Sequence, residues 1–541
     1  MTRSVPRLMW ILLALVSVSL VLAACDPGED VDVGETDEED DLLDPDEDDP
    51  DDPDDPDDAE DEEPPEDGDV AEGNELIAAI ASEPDQLDPH ATTAYAAFQV
   101  LENVFDTLVQ PDAEGEFEPA LASEWSADDE GTLWTFELRD DVSWHDGSDF
   151  TADDVVYSIE RIADEGQNAF RFADLEQVEA TDDHTVKFTL AQPAPNLLAN
   201  VGGFKGMAII PEGSGDDIAN EPVGTGPYRF VEFNEGSDIV LEANPDYWGG
   251  APDIDGVEFR FISEGAVRMT ALQTGEVDWT ADVPAQDVDA VLDDDDLEAE
   301  STASNDYYYY ALNQTREPFD DPQVREALAY GFDRGAVADA AEFGNAVPAQ
   351  TPIPEGDFYA TDYAPYEHDP AQAEALLDEA GVDDLSIDLM VNSDDEETVR
   401  AAEVLEAQWA DIGVDVTIRP EETGTWLDEQ GEGNFDAFLW AWIGNLDPFD
   451  YYFAQHLSDG ASNFHGFADD EVDEALMAGQ ATTDEDERRE AYVTAAERIV
   501  DLNSYTYLYQ PQRVHAWQPV VSGYETRFDG AIRFEDVSLD R

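Results

Sequence analysis

The chain has 541 residues, enough for two or more domains, and 42% hydrophobic with 10% aromatic residues supplies material for sizeable cores. Its 135 Asp and Glu against 22 Lys and Arg give a formal net charge of -113, which excludes nucleic acid as a partner because no basic groove can meet phosphate. The single cysteine excludes an internal disulfide and any cysteine-cluster metal site.

The charge is not confined to one tract. Between Asp26 and Glu72 lie 29 of the acids, leaving 106 of the 135 for the rest of the chain. Repulsion on that scale works against compaction in dilute buffer, and salt relieves it, since the screening length falls to about 3 Å at 1 M. The only lysines are Lys187 and Lys205. An acid-rich, lysine-poor composition resembles proteins of salt-loving cells.

At the N-terminus, Arg3 and Arg7 precede an apolar run from Leu8 to Leu22 that ends Leu22-Ala-Ala-Cys25. A basic start and a short hydrophobic stretch predict a secretory signal over 1–24. The ending resembles a bacterial lipobox, which makes Cys25 the expected site of lipidation and the mature N-terminus. Residues 25–73 are almost entirely Asp, Glu, Pro and Gly and cannot bury enough apolar surface to offset their conformational entropy. They read as a solvated tether.

The folded part begins at Glu75-Leu-Ile-Ala-Ala-Ile80, a strand pattern, and a helix is expected from Thr93 to Leu108. Leu133 to Leu138 and Val186 to Leu190 alternate as strands. Thr151-Ala-Asp-Asp154 offers a helix N-cap with acids in the first turn, and the helix continues through Val155 to Ile162. Pro222-Val-Gly-Thr-Gly-Pro-Tyr-Arg-Phe230 is a tight turn feeding a strand. Tyr307-Tyr-Tyr-Tyr310 predicts a strand with rings alternating between core and cleft, with structural packing the favoured role for them. Ala371 to Ala380 and Thr398 to Ile412 have helical periodicity, while Val414 to Ile418 and Phe435 to Trp440 read as strands. Alternating helix and strand signals favour an α/β fold.

The stretch Phe438-Leu-Trp-Ala-Trp-Ile-Gly-Asn-Leu-Asp-Pro448 holds the strongest functional signal. A strand carrying Trp440 and Trp442 on one face, then breaking into a polar turn, is a suitable wall for a ligand cleft; burial of both indoles in the core is the alternative. No HExxH, GxSxG or GxxxxGK[ST] pattern is present, and no metal site is expected. His456 and His465 are close in sequence but read as scattered surface or cleft residues.

Several motifs in order carry a resemblance. Glu83 to Pro89, Asn103-Val-Phe-Asp-Thr-Leu-Val109, Pro222 to Phe230, Asn244-Pro-Asp-Tyr-Trp-Gly249, Leu312-Asn-Gln-Thr315, Asp321 to Leu328, Gln408 to Val414 and the paired-indole stretch resemble extracellular solute-binding proteins, family 5, of peptide and nickel ABC importers. The resemblance implies two α/β lobes of the periplasmic-binding-protein kind, with the ligand between them. Lobe I would hold residues 74–312 with 505–541 returning to it, and lobe II 313–504. The implied function is a lipid-anchored, monomeric, non-catalytic receptor, exported to the outer face of the cytoplasmic membrane. It would take a peptide-like solute by hinge closure and pass it to the membrane permease, with no cofactor. A sugar, opine-like molecule or metal chelate on the same scaffold is the alternative, and an exported hydrolase a more distant one.

By the same resemblance, ligand contacts fall on Tyr95 and Trp144 from one lobe and on Asn392, Trp440, Trp442, Asn445 and Asp447 from the other. Dipeptide-binding relatives use an aspartate for the ligand's amine and an arginine for its carboxylate. Here those positions are Asn445 and the neighbourhood of Asn392, with Asp447 as a possible stand-in carboxylate. The nearest arginine in sequence is Arg400, on the following helix. A longer peptide held through its backbone, or an uncharged solute, is therefore expected rather than a short zwitterion.

Overall fold

The computed structural model describes residues 73–541 apart from positions 113, 114, 129, 205, 216, 282, 394, 445 and 528. The expected signal segment, nearly all of the tether with Cys25, and the side chain of Asn445 lie outside the described residues. Among the described residues no helix is long and apolar enough to cross a membrane.

A mixed sheet of twelve strands organises the protein. One end runs Asp415–Glu421, Ser386–Asn392, Ala437–Trp442 and Tyr307–Leu312; the other runs Trp279–Thr280, Glu75–Ile80, Gly256–Phe261, Asp238–Ala243 and Tyr228–Asn234. Between them lies the long strand Thr506–Trp517, which belongs to both. Its first residues pair with Tyr308, Tyr309 and Tyr310, and its last six with Glu298–Ala303. The change of neighbour falls at Pro511, a residue with no N–H to give to a ladder.

Both ends are built from parallel α/β units. Glu75–Ile80 pairs in parallel with Gly256–Phe261, and Leu76, Ala78, Ala79 and Ile80 are all fully buried, the pattern of a strand covered on both faces. Ser386–Asn392 pairs in parallel with Asp415–Glu421 and Ala437–Trp442, and helix Glu396–Asp411 crosses over between the first two. Each end has its own core: one gathers Leu76, Leu101, Phe259 and Phe534, the other Leu328, Leu389, Trp409 and Leu508.

A third core occupies residues 108–209. Its antiparallel sheet joins Ala122–Ala127, Leu133–Leu138, Thr185–Leu190 and Leu175–Asp182. Trp134, Phe136 and Leu138 alternate inward on one strand, opposite Val186, Phe188 and Leu190 on its neighbour. The expected capped helix is Ala152–Glu165, with the Thr151 N–H donating to Asp154 Oδ2 at 2.8 Å.

The helix expected from Thr93 to Leu108 stops early, spanning only Tyr95–Leu101. Its continuation serves as a scaffold for other segments instead. Asn103 Nδ2 donates to the Ile532 carbonyl at 2.8 Å and Asn103 Oδ1 accepts from Phe534 N at 3.0 Å. The Val104 carbonyl accepts from Gly226 N. A Cβ on Gly224 or Gly226 would lie 1.8 or 2.7 Å from the Val104 carbonyl group, so this turn needs both glycines for close backbone approach.

The tyrosine strand packs structurally, the favoured expectation, and differs only in having no cleft-facing side. Tyr307 and Tyr309 face one core and Tyr310 another, all fully buried, while Tyr308 stacks on Tyr509 at 4.6 Å. The rings alternate between two cores on opposite faces of a covered sheet, not between core and cleft.

Candidate functional site

Of the predicted site residues, Trp440, Trp442 and Tyr95 lie at the crossing between the two ends of the sheet. Strand Ala437–Trp442 pairs with Tyr307–Leu312, register Tyr307 to Trp442 and Tyr309 to Trp440. Its first three residues are fully buried, and from Trp440 onward it becomes half-buried. Ile443 at its end is 68% exposed. Trp440 stacks on the buried Trp426 at 4.3 Å, and both Trp440 and Trp442 pack against the Tyr307–Phe438 core. The indoles thus rest on a rigid aromatic bed and keep part of their surface outward.

The turn after Trp442 is drawn onto the crossing. A Cβ on Gly444 would lie 1.7 Å from the Asn305 carbonyl oxygen, which makes glycine obligatory there. Gly444 N donates to Asp306 Oδ1 at 3.1 Å, and Asp306 Oδ2 accepts from Arg513 Nη2 at 2.7 Å. The Arg513 guanidinium lies 5.6 Å from the centre of the Tyr95 ring, which is 40% exposed. Tyr95, Arg513, Asp306 and Gly444 therefore form one continuous stack from the first helix to the indole turn. Burial opposes the guanidinium's charge, but the adjacent Asp306 outweighs it and holds Arg513 above the usual arginine range.

Arg513 is the residue that sequence reasoning missed. Arg400, the nearest in sequence, is engaged elsewhere, donating to the Ala341 carbonyl and pairing with Glu396 and Glu397. Arg513 and Asp306 are 207 positions apart in sequence, yet only 2.7 Å in space. The available signal was a lone cation on an otherwise uncharged strand of an acid-rich chain.

Three expectations need correction or refinement. Trp144 is 2% exposed, edge-on to Phe150 at 5.9 Å in the 108–209 core, so its ring packs the core and does not reach a cleft. Asp447 accepts from Arg488 Nη2 through both oxygens, at 2.9 and 3.0 Å, and caps helix Pro448–His456 by accepting from Phe449 N. That carboxylate is committed inside the fold. Asn392 is buried, its amide bonded to Thr423 Oγ1 at 3.1 Å, and its carbonyl accepts from Thr398 Oγ1.

The histidine pair is neither surface nor cleft. His456 Nδ1 and His465 Nε2 both meet Ser504 Oγ, at 2.8 and 2.9 Å, and His456 Nε2 meets the Tyr507 hydroxyl at 3.1 Å. Burial holds the His465 imidazole down at about 3, which keeps it neutral. Among the described residues no group of three or more His, Cys, Asp or Glu could hold a metal ion.

Two cavities separate the 108–209 unit from the part of the chain that carries the indoles. One, of about 490 Å³, lies between Glu116, Phe117 and Trp134 on one side and Tyr359, Leu446 and Arg488 on the other. The second, of about 360 Å³, lies beside Phe170, Arg171, Phe449 and Asp450. Across it Arg171 Nη1 reaches Asp450 Oδ2 at 3.1 Å, an ion pair that ties the two units together. Neither is lined by Trp440, Trp442 or Tyr95, but the larger opens onto Leu446, two residues beyond Gly444.

The family model described as bacterial extracellular solute-binding proteins, family 5, matches residues 116–464. The chain belongs to that family. Among family relatives, the di/tripeptide-binding protein 2 of Pseudomonas aeruginosa is 29% identical over 510 residues, covering 87% of this chain and 96% of its own. The glutathione-binding protein GsiB of Salmonella typhimurium is 28% identical over 484 residues, covering 86% and 94%. The periplasmic binding protein DppA of Helicobacter pylori, solved with the peptide STSA, superposes with a TM-score of 0.74 at 27% identity, covering 87% of this chain and 98% of that one. The ABC transporter substrate-binding protein CtaP of Listeria monocytogenes superposes at 0.79 with 26% identity, covering 87% and 100%.

Proposed function

We propose that this protein is the solute receptor of an ABC importer and that it captures a peptide-like solute between two lobes. Residues 74–312 with 505–541 form the first lobe in this reading and residues 313–504 the second, with Tyr307–Leu312 and the first half of Thr506–Trp517 extending into the second lobe's sheet and cores. The observation that carries it is the half-buried indole strand, which ends in a turn pinned to the strand crossing opposite Tyr95. Relatives named for dipeptides, tripeptides, glutathione and a bound tetrapeptide favour a peptide ligand. Trp440 and Trp442 supply apolar and stacking surface, Asn445 hydrogen bonds, and Tyr95 closes from the first lobe. Asn392 acts one step removed, by fixing Thr423. No covalent chemistry is assigned to the receptor, and ATP is hydrolysed by other subunits.

Anchoring belongs to the same reading. Cys25 after Leu22-Ala-Ala carries the lipid, and the acidic tether lets a monomeric body reach the permease from the outer face of the membrane. Cys25→Ser should release the protein from stable membrane attachment, read by fractionation. The body is adapted to salt: circular dichroism from molar to millimolar potassium chloride should follow a marked loss of melting temperature as screening is withdrawn.

Mass spectrometry of solute released from protein purified in molar salt tests the central assignment. Peptides should be recovered, and calorimetry should then return a one-to-one complex. Recovery of a sugar or a metal chelate as the sole bound species overturns the peptide ligand.

A further inference from the structure

Arg513 stands on the shared strand at the crossing, between Asp306 and Tyr95, with most of its hydrogen-bonding capacity unclaimed. A guanidinium carries five N–H donors on three nitrogens. Nη2 donates to Asp306; Nε and Nη1 make no hydrogen bond to any described residue. The side chain keeps 22% of its surface exposed, under a Tyr95 ring that is itself partly exposed.

The group is also held in place. Asp306 fixes one corner, Tyr95 covers one face, and Gly530 lets Nη1 lie against bare backbone, where a Cβ would come within 1.7 Å of it. Asp306 is oriented in turn by Gly444 N, at the head of the indole turn. A fixed guanidinium with open donors is a pre-organised acceptor site for a carboxylate, and charge-assisted bonds of this kind are about twice as strong as neutral ones. Asp306 and Asp529 act on the same guanidinium, so an incoming carboxylate shares it with them; elsewhere a chain with a formal net charge of -113 offers an anionic group mainly repulsion.

We infer that Arg513 receives a carboxylate of the bound solute, so that the receptor selects a peptide or peptide-like molecule with a free acid group at the strand crossing. This rests on the receptor reading above and adds to it the charge of the ligand and the residue that reads it. It replaces the expectation of an uncharged solute, which assumed that no arginine was near.

The test is calorimetry in molar potassium chloride with an equimolar pool of tripeptides built from glycine, alanine, serine and leucine, used as free acids and as C-terminal amides. The parent protein should bind the acids at least about tenfold more tightly, a difference of about 1.4 kcal/mol. In Arg513→Gln the acid pool should weaken to within about twofold of the amides, and Arg513→Lys should recover part of the preference. Equal binding of both pools by the parent overturns the inference while the receptor reading stands, and this arm needs no variant to fold. Full preference retained in Arg513→Gln also overturns it. Binding of neither pool removes the peptide reading and the inference with it.

Discussion

Asp447–Arg488 and Asp306–Arg513 are built from the same two side chains at nearly the same distance, 2.9 and 2.7 Å, yet they are different devices. Every guanidinium nitrogen of Arg488 has a partner: Nε donates to the Gly479 carbonyl, Nη1 to the Tyr359 hydroxyl and Nη2 to both oxygens of Asp447, whose Oδ1 also caps a helix, so four of its five N–H groups are used. Its side chain is 5% exposed and that of Asp447 8%. Arg513 and Asp306 keep 22% and 20%, and only one guanidinium nitrogen has a partner among the described residues. The first pair lines the cavity of about 490 Å³ but keeps only one guanidinium N–H unclaimed. Identity and distance alone do not distinguish a structural ion pair from a recognition element; the count of unclaimed donors does.

The comparison can be broken most sharply at Arg488. Arg488→Met strands Asp447 without its cation inside the fold, and removing one partner of a buried pair costs about 3–5 kcal/mol. Urea unfolding in molar salt should show that loss; a change below 1 kcal/mol, the range of exposed pairs, would place this pair with them. Asp306→Asn should cost less, about 2 kcal/mol, because water can still solvate the guanidinium left behind. A loss as large as that of Arg488→Met would erase the distinction drawn here.

A pH profile sharpens the comparison by isolating the other buried groups. Burial holds His465 and His515 down at about 3 and His90 and His145 at about 4. The folded chain then binds fewer protons than the unfolded one below the ordinary histidine range, and stability falls as pH drops. Burial pushes Glu342 and Asp395 up to about 7 and Asp106 to about 6, so their contribution falls as pH rises from the ordinary carboxylate range through those values. Five histidines, His456 being lowered by burial as well, outweigh three carboxylates on the acid side, and melting temperature should peak between about pH 6 and 7. Both arginines stay charged throughout, so Asp306→Asn should lower the curve without moving its maximum.

The smallest effect is expected at Arg171–Asp450, whose side chains keep 14% and 12% exposure across the cavity they bridge. Asp450→Asn should shift the balance toward a more open form by about 1 kcal/mol or less, read as a larger radius of gyration by small-angle scattering without peptide. An unchanged radius would mean that the pair does not hold the units together.

Much of this architecture was legible in the chain. Alternation in Leu133–Leu138 and the cap at Thr151 each express a local rule that tertiary structure did not override, whereas the two glycines of Pro222–Phe230 are required by the approach of distant Val104. Trp144 was misplaced because an indole in a core and an indole on a cleft look alike in sequence. The helix after Thr93 was drawn too long because Asn103 and Val104 are claimed by segments more than a hundred residues away. Arg513 was invisible for the same reason: its partner and its aromatic cover come from distant parts of the chain. The indole strand was found, but its stacking partner Trp426 on the preceding helix was not.

Thr506–Trp517 gives the crossing a mechanical character that a loop would lack. The halves of the protein share twelve residues of strand, so the proposed closure loads that strand in torsion, with one N–H missing at Pro511, where the partners on one edge change. Such a joint has a rest angle. An empty receptor is returned toward one shape by elasticity, and a bound solute works against a spring instead of restraining a free swivel.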